Sequence, residues 1–124
     1  MSVYNYAREI SGEFVIVVTA RPGADVDKIR SVVDEEIAAF VSAGPTTEEM
    51  QRVRTETEKS FLGSLERIGG FGGIADKLGG YNTYLGDPDY FQQDFDRYQL
   101  VTAEEVTRAF RTWIADAHRL EVLI

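Results

Sequence analysis

The side chains with the widest chemical repertoire are scarce in this chain. Among 124 residues there is one histidine, His118, and no cysteine. Catalytic zinc on a helix takes two histidines one turn apart, and a serine nucleophile takes a histidine base beside it. One histidine cannot supply the first site, and no Gly-x-Ser-x-Gly segment marks the second. The sequence therefore predicts neither site, and we interpret His118 as a partly exposed residue near a helix C-terminus.

Acidic residues occur in pairs, and paired carboxylates are the chemistry of glycosidases and calcium loops. Such sites place their carboxylates on loops around a cleft. Glu48–Glu49 and Glu104–Glu105 instead fall in the first turns of predicted helices, where the helix dipole favours acids. We assign no catalytic, substrate-binding or metal-binding residue in the chain. The remaining acidic groups are assigned to solvated helix faces: Asp34-Glu35-Glu36, Asp87 with Asp89, and Asp94 with Asp96.

A glycine-rich segment, Gly69-Gly70-Phe71-Gly72-Gly73, is the other feature with a chemical use. Phosphate-binding loops end in Gly-Lys-Ser/Thr and follow a strand, and this segment has neither property. We interpret it as a helix break that lets Ile68 and Phe71 pack closely, because adjacent glycines commonly separate helices. The alternative is a mobile loop that contacts an extended peptide.

Length and composition narrow the class of protein. We expect one domain over residues 1–124, with a core of its own. The net charge of −8 and the sequence pI near 4.6 argue against a nucleic acid or an anionic membrane as partner, because both are polyanions. No apolar run approaches the roughly 18 residues of a membrane span, and no signal peptide is recognised at Met1–Tyr4. Without cysteine there is neither a disulfide nor a thiolate zinc site.

Three strands are predicted, two near the start of the chain and one at its end. Val3–Glu9 has the alternation of a half-buried strand. Phe14–Ala20 is a continuous apolar, β-branched run, which predicts a central strand with both faces covered. The short connection between the two predicts an antiparallel hairpin. Arg119–Ile124 alternates between apolar and other residues and predicts a closing strand.

Four helices are predicted between the second and third strands. The second helix is expected to end at Ile68, before the glycines. Ile74–Leu78 adds only a helical turn or two before Gly79-Gly80. The order β-β-α-α-α-α-β predicts a two-layer α+β sandwich, with a small, mostly antiparallel three-stranded sheet and the helices on one face. The helix start signals are Asp25, Thr46 with Glu49, Asp87 with Pro88, and Thr102 with Glu105.

Four segments, taken together, resemble the pitrilysin/insulinase-type zinc peptidases. They are Phe14–Gly23, Pro45–Arg54, Gly86–Phe91 and Val101–Val106. They occur in the order and at the approximate spacing of that family, and they cover most of the chain. The resemblance implies half of a domain that is built from two similar α/β halves. Two such domains close around an unfolded peptide.

The resemblance is to the C-terminal half of the non-catalytic partner domain. The chain contains no His-x-x-Glu-His segment, so the resemblance places zinc in the catalytic domain of a parent protein and none in this chain. The family's Arg/Tyr substrate motif would lie just before the start of this chain. Tyr4 and Arg8 occur in the wrong order for that motif, and no catalytic or substrate-contacting residue is carried over.

The function implied by the resemblance is a structural, substrate-cradling part of a zinc metallopeptidase that hydrolyses peptides in an enclosed chamber. Such a part is inactive alone. Its expected partners are the catalytic peptidase domain, an extended peptide, and a second copy bound through an exposed sheet edge. The resemblance suggests the bacterial periplasm or cell envelope as its location. A free-standing acidic adaptor or small-ligand-binding α+β domain is the alternative.

Overall fold

The computed structural model describes residues 1–124, which fold as two compact units. Unit 1 comprises Met1–Ala43 and Thr107–Ile124, and unit 2 comprises Gly44–Val106. The secondary structure is mixed α+β, as the sequence predicts, and none of the helices has the length and apolarity needed to cross a bilayer. The elements are β1 Ser2–Ala7, β2 Gly12–Val17, α1 Val26–Ala43, α2 Thr47–Leu65, α3 Ile74–Leu85, α4 Phe91–Leu100, α5 Ala103–Phe110 and a π-helical turn Arg111–Ala115.

The sheet of unit 1 is the predicted antiparallel hairpin. β1 and β2 pair from Ser2 with Val17 to Ala7 with Gly12. The backbone N–H of Arg8 donates to the Ser11 carbonyl at 3.1 Å and closes the connecting loop. The hairpin prediction is confirmed, although β2 ends at Val17 and not at Ala20.

The predicted closing strand does not form. The sheet has two strands, and residues 116–124 have no helical or strand structure. Ion pairs to α1 hold the segment in place: Arg119 binds Asp34, and Glu121 binds Arg30. The alternation of apolar residues favours a strand, but a strand also needs a neighbouring backbone as its partner. No backbone hydrogen bond joins this segment to β1 or β2.

The prediction that β2 is a central strand with both faces covered is also wrong. β2 has one neighbouring strand, and its side chains are exposed or at most half-buried. Continuous apolar strands are typical of sheet interiors because both of their faces are usually covered. The composition of β2 therefore fits a sheet whose faces are covered more fully than they are here.

An aromatic cluster joins the helices of unit 1 to its sheet. The Phe110 ring lies 4.6 Å from the ring of Phe40 in α1 and 6.2 Å from the ring of Phe14 in β2. α1 packs against the π-helical turn that continues α5. As predicted, Asp25 caps α1, since its carboxylate accepts from the backbone N–H of Asp27 at 2.9 Å.

Unit 2 is helical, and α2 packs on α4 with the Phe61 and Phe95 rings 5.3 Å apart. The predicted capping box of α2 is confirmed. The Thr46 hydroxyl accepts from the Glu49 N–H at 3.2 Å, and the Glu49 carboxylate accepts from the Thr46 N–H at 2.8 Å. The box at Thr102 and Glu105 has the same two hydrogen bonds.

α3 is longer than the sequence predicts. It spans Ile74–Leu85 and runs through Gly79-Gly80, where the sequence indicated an end. Each glycine costs a helix up to about 1 kcal/mol relative to alanine. The contacts of the next residue offset this cost, since the Tyr81 ring packs edge-on to Phe91 at 5.1 Å.

The boundaries around α4 also differ from the prediction. α3 ends at Leu85 and is capped by Gly86, which adopts the left-handed conformation and donates its N–H to the Asn82 carbonyl. The Asp87 carboxylate then accepts from the Asp89 N–H at 3.0 Å, which forms a turn and not the first turn of a helix. α4 begins only at Phe91, and α2 ends at Leu65, before the expected Ile68.

The exposed surface is the most unusual property of the fold. No hydrophobic side chain is buried in either unit, and the accessible surface is 10174 Å². Two separate folded bodies of about 7 kDa each would together expose about 8,000 Å². The chain therefore exposes about a quarter more surface than its mass requires, even when its units are counted as independent bodies.

Candidate functional site

The backbone along the open side of β2 is the first candidate binding surface. Hydrogen-bonded and non-hydrogen-bonded pairs alternate along an antiparallel ladder. The bond between Arg8 and Ser11 fixes the phase, so the backbone groups of Glu13, Val15 and Val17 are directed at β1. Those of Phe14 and Ile16 are directed away from β1. No second strand forms hydrogen bonds with these outward backbone groups of Phe14 and Ile16.

An apolar depression of about 390 Å³ lies beyond the end of β2 in the same unit. Val18 follows β2 directly and is 39% exposed, and Val32 on α1 is 48% exposed. Asp25 and Lys28 are the only charged residues in its lining. The depression can therefore accept an apolar side chain. Its remaining lining residues are Met1, Ala24, Ile29 and Val33.

Four charged side chains position the C-terminal segment of unit 1. The Arg119 guanidinium donates to the Asp34 carboxylate, and this hydrogen bond is the main reason that the pKa of Asp34 is lowered. Glu121 accepts from Arg30 at 2.7 Å and contacts Arg119 at 2.9 Å, and its hydrogen bond raises the pKa of Arg30. These groups are 39–50% exposed, so they orient the segment but are not buried.

Unit 2 contains a polar depression of about 630 Å³ between α2, α3 and α4. The Tyr81 hydroxyl donates to the Asp94 carboxylate at 2.7 Å. Burial, and then this hydrogen bond, raise the pKa of Tyr81, so the hydroxyl stays protonated as a donor. The Lys77 ammonium lies 4.7 Å from the centre of the Phe61 ring. The arrangement can bind charged groups.

The glycine-rich segment 69–73 forms a hydrogen-bonded turn after α2. The Arg67 carbonyl accepts from the Ile74 N–H at 2.8 Å, and a Cβ at Gly73 would meet that carbonyl oxygen at 2.7 Å. This supports the interpretation as a helix break. Ile68 and Phe71 are 84% and 100% exposed, so the expectation that they pack closely is wrong.

The sequence assigned no catalytic, substrate-binding or metal-binding residue, and it missed the cluster in unit 2. The sequence predicts that Tyr81 follows a short helical turn, and no motif connects it with Asp94. His118 is exposed and lies outside any helix or strand. The structure has no group of three or more His, Asp or Glu residues arranged to hold a metal ion.

Comparisons of the chain with protein-family models, with curated proteins and with solved structures found no match.

Proposed function

We propose that this chain is a non-catalytic part of a pitrilysin/insulinase-type zinc peptidase, in which it forms part of the chamber wall and holds an extended peptide. The resemblance of the four sequence segments supports this family. The hairpin followed by capped helices is compatible with it. In this proposal the chain adopts the family's two-layer arrangement within the parent.

The observation that carries the proposal is the open side of β2. β2 has one neighbouring strand, so the backbone groups on its other side have no strand partner, and its apolar side chains are exposed or at most half-buried. An extended peptide that adds to a sheet edge gains main-chain hydrogen bonds, and pockets along the edge take its side chains. Phe14 and Ile16 offer the backbone groups, and the apolar depression at Val18 and Val32 lies beyond the end of the same strand.

The chain's own residues do not fit a zinc site, because its single histidine is exposed and has no cluster of ligands around it. The proposal therefore places metal-assisted hydrolysis in the catalytic domain of the parent. The part assigned to this chain is to bind the peptide in an extended conformation and to orient it.

Fluorescence anisotropy with a labelled, unstructured, uncharged peptide tests the binding. Ile16→Pro removes the outward N–H from β2, and we expect affinity to fall about tenfold, because edge addition depends on main-chain hydrogen bonds. Ile16→Ala is the matched control, since it also shortens the side chain but keeps the N–H. Equal binding by the two variants, or no binding by the wild type, would reject the proposal. Circular dichroism of both variants checks that they are folded.

The family part of the proposal has its own test. A His-x-x-Glu-His segment encoded several hundred residues upstream in the same reading frame would support it. A reading frame that contains only this chain would favour the free-standing domain.

A second candidate function, a small-ligand-binding domain, is favoured by the depression in unit 2. Its volume lies within the range of about 300–1,000 Å³ that is common for ligand sites. A thermal-shift screen with small charged compounds tests it. Stabilisation that disappears in Lys77→Met but persists in Lys59→Met would support ligand binding at this depression.

A further inference from the structure

We propose that β1 is a self-association edge, through which two copies of this chain pair antiparallel about a twofold axis at Asn5. The product is a continuous four-stranded sheet with the strand order β2, β1, β1, β2 across the two copies. This inference does not depend on the peptidase proposal, because β1 offers the side of the hairpin that lies opposite the open side of β2.

The hydrogen bond in the hairpin loop determines which backbone groups of β1 are available. Since Arg8 bonds to Ser11, the alternate residues Tyr6, Tyr4 and Ser2 direct their backbone groups at β2. Val3, Asn5 and Ala7 direct theirs to the open side. These three residues are evenly spaced about Asn5.

With a twofold axis at Asn5, the outward backbone groups of Val3, Asn5 and Ala7 all gain hydrogen-bond partners in the second copy. Asn5 then forms a hydrogen-bonded pair with Asn5 of the second copy, and Val3 forms one with Ala7 of the second copy. Tyr4 falls opposite Tyr6 in a non-hydrogen-bonded pair, where side chains approach most closely. Any shift of register by two residues loses one of these pairs. The strand is therefore complementary to itself, as an interface with twofold symmetry requires.

The side chains of β1 favour the same pairing. Tyr4 and Tyr6 stack with ring centres 5.9 Å apart, and they are 45% and 46% exposed. The pairing brings four tyrosine rings together on one face of the joined sheet. Aromatic cross-strand pairs stabilise antiparallel strands by about 0.2–1 kcal/mol each.

The strand β1 and the unit that contains it carry little net charge. Natural edge strands are commonly protected by lysine, proline or a bulge, and β1 contains no charged residue and no proline. Unit 1 carries nine acidic and seven basic residues, a net charge of −2. Unit 2 carries twelve and six, a net charge of −6. The charge that opposes association of this acidic chain therefore lies mainly outside the unit that contains β1.

The whole chain exposes an unusually large surface. The chain exposes about 2,000 Å² more than two separate folded bodies of its mass. A standard interface removes about 800 Å² from each partner. Burial of such an area by a second copy would still leave the chain with more exposed surface than its mass requires.

Disulfide cross-linking tests the register directly, because the wild type has no cysteine. In the proposed dimer the two Asn5 Cα atoms are about 5.5 Å apart, within the range that a disulfide spans. Ser2→Cys is the matched control on the same strand, since its two copies would be about 20 Å apart. We expect Asn5→Cys to cross-link about tenfold faster than Ser2→Cys, given that difference in separation. Equal rates would overturn the register.

Sedimentation equilibrium tests the association without a cross-link. We expect the wild type to shift from monomer to dimer with concentration. Asn5→Lys places two like charges opposite each other at the axis, and we expect the dissociation constant to rise about tenfold. Ser11→Lys makes the same charge change in the hairpin loop and should leave it unchanged. A wild type that is monomeric at every concentration, or equal effects of the two lysines, would overturn the proposal.

Discussion

Arg119 donates to both carboxylate oxygens of Asp34, a residue that lies 85 positions earlier in the chain. This ion pair and its neighbour between Glu121 and Arg30 are the side-chain contacts that hold the C-terminal segment on α1. The segment makes no backbone hydrogen bonds with the sheet. Its attachment therefore depends on charge.

Asp34→Asn should release this segment. The pKa of Asp34 is lowered from its usual 3.8, so the stabilising contribution is present above that pH and is lost as the pH falls through the lowered pKa. We expect carboxypeptidase to remove the last residues of Asp34→Asn rapidly at neutral pH, and those of the wild type rapidly only under acidic conditions. At acid pH, where the protease is inactive, NMR relaxation of the backbone amides measures the mobility of residues 119–124. Glu35→Gln on the same helix should behave like the wild type.

Tyr81→Phe should destabilise unit 2 by about 1–1.5 kcal/mol, because it removes the hydroxyl that donates to the half-buried Asp94. The raised pKa of Tyr81 means that its contribution is present below pH 10.0 and decreases as the pH rises above it. Urea unfolding at neutral and alkaline pH measures both effects. Tyr84→Phe, at a tyrosine that is 70% exposed, should change neither value.

Two glycine substitutions should have opposite signs. Gly79→Ala lies within α3, has no atom within 4 Å of the added Cβ, and should stabilise the chain by about 0.5–1 kcal/mol. Gly73→Ala places its Cβ 2.7 Å from the Arg67 carbonyl oxygen and should destabilise the chain. Urea midpoints of the two variants compare them directly. If Gly73→Ala were stabilising, the Arg67 carbonyl could not lie as close to residue 73 as the structure shows.

Thr46→Ala removes one half of the capping box of α2 and should cost about 1 kcal/mol. Its control is Thr47→Ala, which changes the neighbouring exposed threonine and leaves the box intact. The difference in melting temperature between the two variants measures the cap. Similar melting temperatures would indicate that the Glu49 carboxylate alone satisfies the helix start.

The two sides of the hairpin should act independently. Ile16→Pro changes the open side of β2, so we expect it to lose peptide binding and to keep the wild-type dimer. Asn5→Lys changes the open side of β1, so we expect the reverse pattern. Measuring anisotropy and sedimentation on both variants checks this. Loss of both properties in either variant would indicate that the hairpin itself is disrupted.

Sequence patterns predicted the parts of the fold that short-range contacts determine. The capping boxes at Thr46 and Thr102 each involve residues three positions apart, and the hairpin joins neighbouring strands. Contacts between distant residues overrode the local pattern elsewhere. α3 continues through Gly79-Gly80 because Tyr81 packs on aromatic rings that follow it in the chain.

Short-range sequence patterns did not predict the candidate sites. The pair of Tyr81 and Asp94 joins residues thirteen positions apart, and neither belongs to a motif. The open edges follow from the absence of a third strand, whereas the alternation in Arg119–Ile124 indicated one. Alternation of apolar and polar residues indicates which face of a strand would be buried. It does not indicate whether a neighbouring strand is present to accept its backbone hydrogen bonds.

The lack of buried hydrophobic side chains has a thermodynamic consequence. The positive heat-capacity change of unfolding comes from newly exposed apolar surface, and here much of that surface is already in water. The heat-capacity change and the urea m-value should therefore be low for a chain of this length. A partner protein that buries this apolar surface would bind with a negative heat-capacity change, so unfolding of the complex would show a larger positive heat-capacity change than unfolding of the chain alone. Its binding would raise the melting temperature in proportion to the logarithm of its concentration.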